Sequence, residues 1–482
     1  MKRMLVLMLC LTMLLSLSIV TASASISANV NDNSWKELEF KTLLYQSNGD
    51  LYSDINEDYW EYWWEGEVPE LDNAWAQAST VNMRGFAMSS DGRYMYMGTL
   101  NGGNGIRGVV VYDTQTCKVT DLYYKYDGEV GLNGNPFSYA KGMTADDRGY
   151  VYVGFAFSKN YNIVNLGIAK QQDDGTLEEV YYDAVYEFGA PGDEGGIKVG
   201  VNGVDVAKVG DKYYCYFMTN YTYDALYCYD VTDPANPKLN TDFGKGGMII
   251  FSDPSNTVGG EFKLGDGHYM DVDEDGTIWL LADADDAYVM KIAPDGSACV
   301  DLIPANYFYC VEHVGGYLIL GDYKGEYIEV RDDASYEVIA KINIPEDYGD
   351  RVTRIQVIND VVFVCEAGND NNLVNAVHAA ALSADGQAFL DSLTANIDRA
   401  VNGEEETSAE ETTVETVTEG SDETTAEETT AVATEAPTET QADTTAEAAT
   451  ETLPEKTGCG ATVGAAALAV LLAAAFVARK KD

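Results

Sequence analysis

Six segments of this chain obey one grammar, and that repetition limits the fold more than any other feature. Residues 88–98, 143–154, 204–218, 270–281, 310–321 and 355–365 each hold an apolar run, a tight turn with Asp or Gly, and a second run of Tyr or β-branched residues. Alternation of period two around a short turn is the signature of a β-hairpin. The turn residues Gly92, Gly149, Gly210, Gly276, Gly316 and Asp360 follow one another at intervals of 57, 61, 66, 40 and 44 positions. After four of the hairpins a second pair of strands can be read: 108–113 with 117–124, 226–230 with 238–243, 288–292 with 298–303, and 327–330 with 336–341. Four antiparallel strands recurring at this interval form the blade of a β-propeller. The expected fold is all-β, a propeller of six four-stranded blades. A seventh, degenerate blade within 46–80 or 244–267 is the alternative count.

Such a ring must close. The run 35–45 precedes the first hairpin, while the last blade runs out of strands and passes into 388–401, where Phe389, Leu390, Leu393 and Ile397 have helical spacing. The N-terminal strand is therefore expected to serve as the outer strand of the last blade, leaving few open edges.

Composition agrees: 46% hydrophobic residues, 33 Tyr and 45 Gly suit a packed, turn-rich β protein and rule out a wholly disordered chain. Lys and Arg number 30 against 79 Asp and Glu, a formal charge of −49, which excludes electrostatic capture of nucleic acid. Residues 403–456 hold 17 acids, 16 Thr and no aromatic residue, so they read as a disordered, self-repelling stalk. With that stalk's −16 and the +2 at each chain end set aside, residues 25–402 still carry −37.

Both ends read as addresses. Lys2 and Arg3, an apolar stretch from Met4 to Val20 and the Ala22-Ser23-Ala24 pattern make residues 1–24 a signal peptide, with the processed chain starting at Ser25. Residues 461–478 hold no charge over 18 positions and are followed by Arg479, Lys480 and Lys481. At roughly 1.5 Å per residue they reach the thickness of a bilayer core, and the basic tail places the C-terminus inside the cell. The expected domains are thus 1–24, 25–402, 403–456 and an anchor, 457–482, with its transmembrane helix at 461–478.

Two short stretches bear family resemblances. Leu453-Pro454-Glu455-Lys456-Thr457-Gly458, ahead of the apolar span, resembles the L-P-x-T-G sorting signal of Gram-positive surface proteins with one residue inserted. The resemblance implies display on the surface of a Gram-positive bacterium, held by the wall or the membrane. Residues 226–239, with Asp230 and the prolines Pro234 and Pro237, resemble one L-V-I-V-D repeat of bacterial surface β-propellers.

Several residues are candidates for chemistry. Asp283, Asp285 and Asp286 fall between the second and third strands of one blade, with Asp322, Glu366 and Asp370 in equivalent places of the next two. Carboxylates crowded on one rim relieve their repulsion by sharing a hard cation, so calcium is the cofactor this cluster would take; a solvated acidic rim is the plainer account. Asp271-Val272-Asp273-Glu274-Asp275-Gly276 opens like an EF-hand loop, but Ala282 stands where the bidentate Glu belongs, so an ordinary hairpin is expected. Trp60, Trp63 and Trp64 lie among carboxylates in an insertion and suit stacking on sugars or holding peptide, unless they pack against the ring. Tyr221 and Tyr223 form a second aromatic patch. Cys215 and Cys228 are symmetric about a turn near Tyr221, which permits a cross-strand disulfide or two buried thiols. The three histidines, His268, His313 and His378, show no zinc spacing, and there is no G-x-S-x-G elbow. No catalytic constellation stands out. The chain reads as a cell-surface binding module for a carbohydrate or an extracellular protein, reaching the membrane through its C-terminal helix. A calcium-dependent hydrolase or lyase acting on extracellular glycans is the alternative, and a structural spacer with no small ligand the third reading.

Overall fold

A computed structural model describes residues 26–47, 50–53, 56–62, 83–99, 108–126, 138–156, 163–187, 199–221, 225–251, 266–283, 287–345, 351–367 and 374–402. The chain divides into two compact units, 1–408 and 409–482, and all described residues belong to the first. The signal peptide, the stalk and the span 461–478 lie outside the described residues, among which no helix is long and apolar enough to cross a membrane.

The innermost strands of six blades are Met83–Met88, Tyr139–Ala145, Val199–Val209, Asp266–Val272, Phe308–Val314 and Arg351–Ile358. Each lies against the next, and the last returns to the first, so the chain forms a closed six-bladed propeller. Blade 1 continues outward through Tyr94–Thr99, Val109–Asp113 and Lys118–Tyr123. Blade 2 carries a long outer pair, Ile163–Gln171 and Leu177–Glu187, the second of them rich in acids. In blade 3 the outermost position is shared by Lys238–Leu239 and Met248–Ile250, both paired with Ala225–Asp230.

Closure follows the expected route. In blade 6, Arg351–Ile358, Val361–Ala367 and Val374–Ala381 are joined by the N-terminal strand Lys41–Ser47, antiparallel to the third of them. Asp50–Ser53 and Asn56–Tyr62 extend the same sheet, so the stretch considered for a seventh blade adds to the sixth. Residues 35–45 are not one strand. Trp35 sits in a five-residue helix, α1 (Asp32–Lys36), capped by Asn31, and buries its ring beside Tyr317 with centroids 5.3 Å apart. The helix read at 388–401 is α2 (Ala384–Asn402), whose Leu390, Leu393 and Ile397 fill the junction of blades 6 and 1.

Why blades pack is visible in Val361–Ala367. Val361, Phe363 and Cys365 join the apolar cluster shared with blade 1, whereas Val362 and Val364 join the one shared with blade 5. Successive side chains of a strand point to opposite faces, so a strand covered on both faces reads as an unbroken apolar run. All six junctions are filled this way.

Near the axis the innermost strands crowd. Each carries a β-bulge that leaves one residue out of register: Arg84, Lys141, Asn202, His268, Tyr309 and Thr353. The following position is Gly85, Gly142 and Gly203 in blades 1 to 3. A Cβ on Gly85 would stand 2.7 Å from the Lys141 carbonyl oxygen and one on Gly142 2.9 Å from the Gly203 carbonyl carbon, so at these two positions glycine lets the strands approach. In blade 6 that position is Arg354, and its side chain occupies the centre.

Candidate functional site

Three residues past each bulge residue stand Ala87, Thr144, Asp205, Asp271, Glu312 and Gln356. Four of these link one blade to the next by the same bond, a side-chain oxygen accepting from a backbone N–H. Asp205 Oδ2 accepts from Val272 N at 2.8 Å, Asp271 Oδ2 from His313 N at 2.9 Å, Glu312 Oε1 from Val357 N at 3.4 Å, and Gln356 Oε1 from Met88 N at 2.9 Å. Thr144 Oγ1 adds a fifth link by donating to Asp205 Oδ1 at 3.0 Å.

These polar residues line a cavity of about 290 Å³ at the end of the ring that carries the inner hairpin turns, with Arg354, Asp273, Glu274 and Ile26 also on its wall. Arg354 donates from Nη1 to the Met270 carbonyl at 2.8 Å, and its Nη2 stands 4.0 Å from Asp205 and 3.9 Å from Glu312. One guanidinium thus serves three buried acids. Burial, then the charge of Asp205, push Asp271 up to about 8 against the pull of Arg354. Burial likewise raises Asp205, against Arg354, and lifts Glu312 well above the carboxylate range, helped by Asp271. Glu312 Oε2 and Arg354 Nε are buried with no hydrogen-bond partner.

At the cavity's edge His313 bridges Asp273, 2.6 Å from Nδ1, and Asp333, 3.1 Å from Nε2, with its ring stacked on Trp279 at 4.4 Å. Burial pulls its pKa down, but the bond and charge of Asp273, followed by Asp271 and Asp333, hold it above the ordinary value. A second polar row lies in the closing blade: Thr42 Oγ1 is 3.1 Å from His378 Nδ1, and His378 Nε2 is 2.8 Å from Glu366 Oε2. All three residues are at most 1% exposed, so the row joins strands instead of meeting solvent.

The candidates named from sequence fall elsewhere. Trp60 is on the outermost strand of blade 6, Tyr221 and Asp283 end the second strands of blades 3 and 4, and Trp63, Trp64, Tyr223, Asp285 and Asp286 lie outside the described residues. Two supposed rim acids are not free. Asp322 is buried and accepts from the Lys324 and Glu326 amides, and Glu366 is committed to His378, because both side chains belong to strand ends folded into the blade. The EF-hand-like stretch is a hairpin whose carboxylates diverge: Asp271 meets the His313 amide, Asp273 meets Trp279 and His313, and Asp275 caps Thr277. Among the described residues no group of three His, Cys, Asp or Glu is arranged to hold a metal ion.

The Cys215–Cys228 disulfide is not formed. Cys215 is opposite Tyr229 and Cys228 opposite Tyr216, one residue away from the expected symmetry, so the thiols face opposite sides of the sheet. Both are free and buried, and burial pushes Cys228 up to about 12. Sequence reading took Asp271 and Asp273 only as part of an EF-hand-like hairpin and missed Asp205, Glu312 and Arg354. Their signal was present: a polar residue at the same place in otherwise apolar inner strands of five of the six hairpins.

No protein-family model and no curated protein matches this chain. Among solved structures it is similar to a protein of unknown function from Bacteroides caccae, at 11% identity over 56% of this chain and 82% of the other, with a TM-score of 0.36. A luciferin-regenerating enzyme gives 12% over 63% and 91%, TM-score 0.37. The PQQ-bound aldose sugar dehydrogenase of Streptomyces coelicolor gives 11% over 63% and 97%, TM-score 0.39. These likenesses are too distant to carry any chemistry across.

Proposed function

We propose that this chain is a binding module displayed outside a Gram-positive cell, which takes a carbohydrate or an extracellular protein at the end of the ring opposite the inner hairpins. One observation carries this reading: at the hairpin end the chain itself covers the turns of blades 5, 6 and 1. Ser27 and Ser383 both donate to Asp360 in the blade 6 turn, Phe389 of α2 lies over Gly92 in the blade 1 turn, and Ile26 lies over Gly315 in the blade 5 turn. The second strands of all blades end, and the third strands begin, at the other end, as alternation of strand direction requires, and Tyr221 and Asp283 are the last residues of two of those second strands. The signal peptide, stalk and anchor read from the sequence support export and display. Among the described residues the strongly shifted acids Asp271 and Glu312 sit at the hairpin end.

The test is a melting series of the processed chain with calcium and with soluble glycans, alongside the variants Trp63→Ala and Asp283→Asn. A ligand that binds only the folded state raises the melting temperature by mass action. A glycan shift lost in Trp63→Ala supports the binder. Turnover of a glycan that needs calcium and disappears in Asp283→Asn would replace the reading with the hydrolase or lyase.

A further inference from the structure

The first described residues of the chain touch the central cavity. Ile26 lines it and packs against Gly315 so closely that a Cβ there would come within 2.3 Å of Ile26 Cγ1. Ser27 is fixed by two bonds to Asp360, from its N–H at 2.8 Å and its hydroxyl at 2.6 Å. The chain is thus pinned between the hairpin turns of blades 5 and 6, at the cavity's mouth. The Ala22-Ser23-Ala24 pattern makes Ser25 the first residue after processing, one Cα step of about 3.8 Å from Ile26. Hydrolysis of the Ala24–Ser25 bond by a signal peptidase consumes one water, leaves a carboxylate on Ala24 and frees an amine on Ser25 that takes up a proton. Inside the cavity Glu312, 1% exposed, keeps an Oε2 that accepts no hydrogen bond, with Arg354 Nη2 at 3.9 Å as its nearest cation.

We propose that the Ser25 α-ammonium, freed by removal of residues 1–24, docks in this cavity and donates to its carboxylates, Glu312 foremost. Asp205, Asp271, Asp273 and Glu274 on the wall favour a second cation there. Arg354 and His313 oppose it, but burial raises Asp205, Asp271 and Glu312 for want of cations, and a docked ammonium favours their ionised forms. A docked ammonium supplies the missing donor and ties the start of the processed chain to blades 3 to 6. Unprocessed chain lacks the charge, so the centre would be completed only after export. The proposal does not depend on what binds the opposite end.

The experiment uses the chain from Ser25 to Asp482 in detergent, once with its native first residue and once with Met-Gly placed ahead of Ser25. Mass spectrometry of the protein secreted by a Gram-positive host first establishes the start, and a start other than Ser25 overturns the proposal. The native form is expected to melt several degrees above the extended one. An α-amine ordinarily titrates near roughly 7.7–8.0, and docking raises that value. The advantage is therefore fully present below that range and lost as pH rises through the docked value. Independently, an α-amine-selective aldehyde should label native Ser25 about tenfold more slowly than a free Ser-Ile peptide, since about 1.4 kcal/mol of protection is a factor of ten. Labelling should speed up in Glu312→Gln. Labelling of the wild-type chain at the peptide's rate, or equal melting of the two forms at every pH, overturns it.

Discussion

At the closing seam Glu366 meets His378 at 2.8 Å, whereas at the centre the Arg354 guanidinium stands 3.9 Å from Glu312 and 4.0 Å from Asp205. Both clusters bury carboxylates beside a nitrogen base, yet the first is a hydrogen-bonded joint inside one sheet and the second borders a cavity shared by several blades. The seam joins three strands: Thr42 from the chain's beginning, His378 and Glu366 from its end. His378 meets both neighbours there, Thr42 through Nδ1 and Glu366 through Nε2. The centre has more acid than base, so burial raises Asp205, Asp271 and Glu312 against the pull of Arg354. A joint needs fixed partners, and a cluster with surplus acid takes its charge state from the medium and from whatever enters.

The largest expected effect is at the centre. Arg354→Met leaves three buried acids without their cation, and removing one member of a buried charge group costs about 3–5 kcal/mol. Urea unfolding at pH 7 measures it. A loss under about 1 kcal/mol would mean that the central acids do not depend on Arg354 and would erase the contrast with the seam.

His378→Leu tests the other side. It removes the donor to Glu366 Oε2 while Glu366 Oε1 is already buried without a partner, and an unsatisfied buried carboxylate costs about 2–3 kcal/mol. The same unfolding experiment reads the loss, and Glu366→Gln in the His378→Leu background should recover part of it by removing the stranded charge. No recovery would mark the residues as ordinary packing.

The pH profile separates the clusters further. The Asp271 value of about 8 lies above the roughly 3.9 of an unfolded Asp, so its protonated form contributes stability below about pH 4 that is lost as pH rises through 8. Glu312 and His313, both raised, act with the same sign. Stability measured by urea midpoint should fall from pH 4 to 8, and Asp271→Asn should flatten the fall without removing it. A midpoint that climbs over this window would show that the central acids ionise freely.

Much of this architecture is legible in the chain, for a physical reason. Tight turns demand residues that tolerate positive φ, and all six turn residues read from sequence have it, from 58° at Asp360 to 88° at Gly316. Leu390, Leu393 and Ile397 announce α2 by their spacing. Blade 2's outer strands are obscured because Leu177–Glu187 lies at a solvated edge and carries Glu178, Glu179 and Asp183. The disulfide failed on a register shift of one residue, which a sequence without its loop geometry cannot fix. The centre was hidden by another route: Asp205 and Glu312 each read as a stray acid within its own strand, Asp271 as part of an EF-hand-like hairpin, and only ring closure brings the three to Arg354.

The smallest effect concerns the knot between seam and hairpin end. Asp360 sits in the turn of blade 6 at φ 58°, accepts from Ser27 N–H and hydroxyl, and accepts from Ser383, which in turn caps Gly386 at the start of α2. Asp360→Gly keeps the left-handed backbone and deletes only those acceptors, so the expected loss is about 1 kcal/mol, the size of a lost helix cap or one net hydrogen bond. Burial raises the Asp360 pKa, but the bonds from Ser27 and Ser383 outweigh it and hold it below the carboxylate norm. Its contribution is therefore present above about pH 4 and lost as pH falls through its folded value, opposite in sign to the central acids. Wild type and Asp360→Gly should differ at pH 6 and converge in strong acid, while limited proteolysis at pH 6 should clip the variant faster near residues 26–31. Equal clipping would mean that Ile26 on Gly315 and Trp35 beside Tyr317 hold the N-terminal segment without Asp360, and the hairpin end would then owe its cover to apolar packing alone.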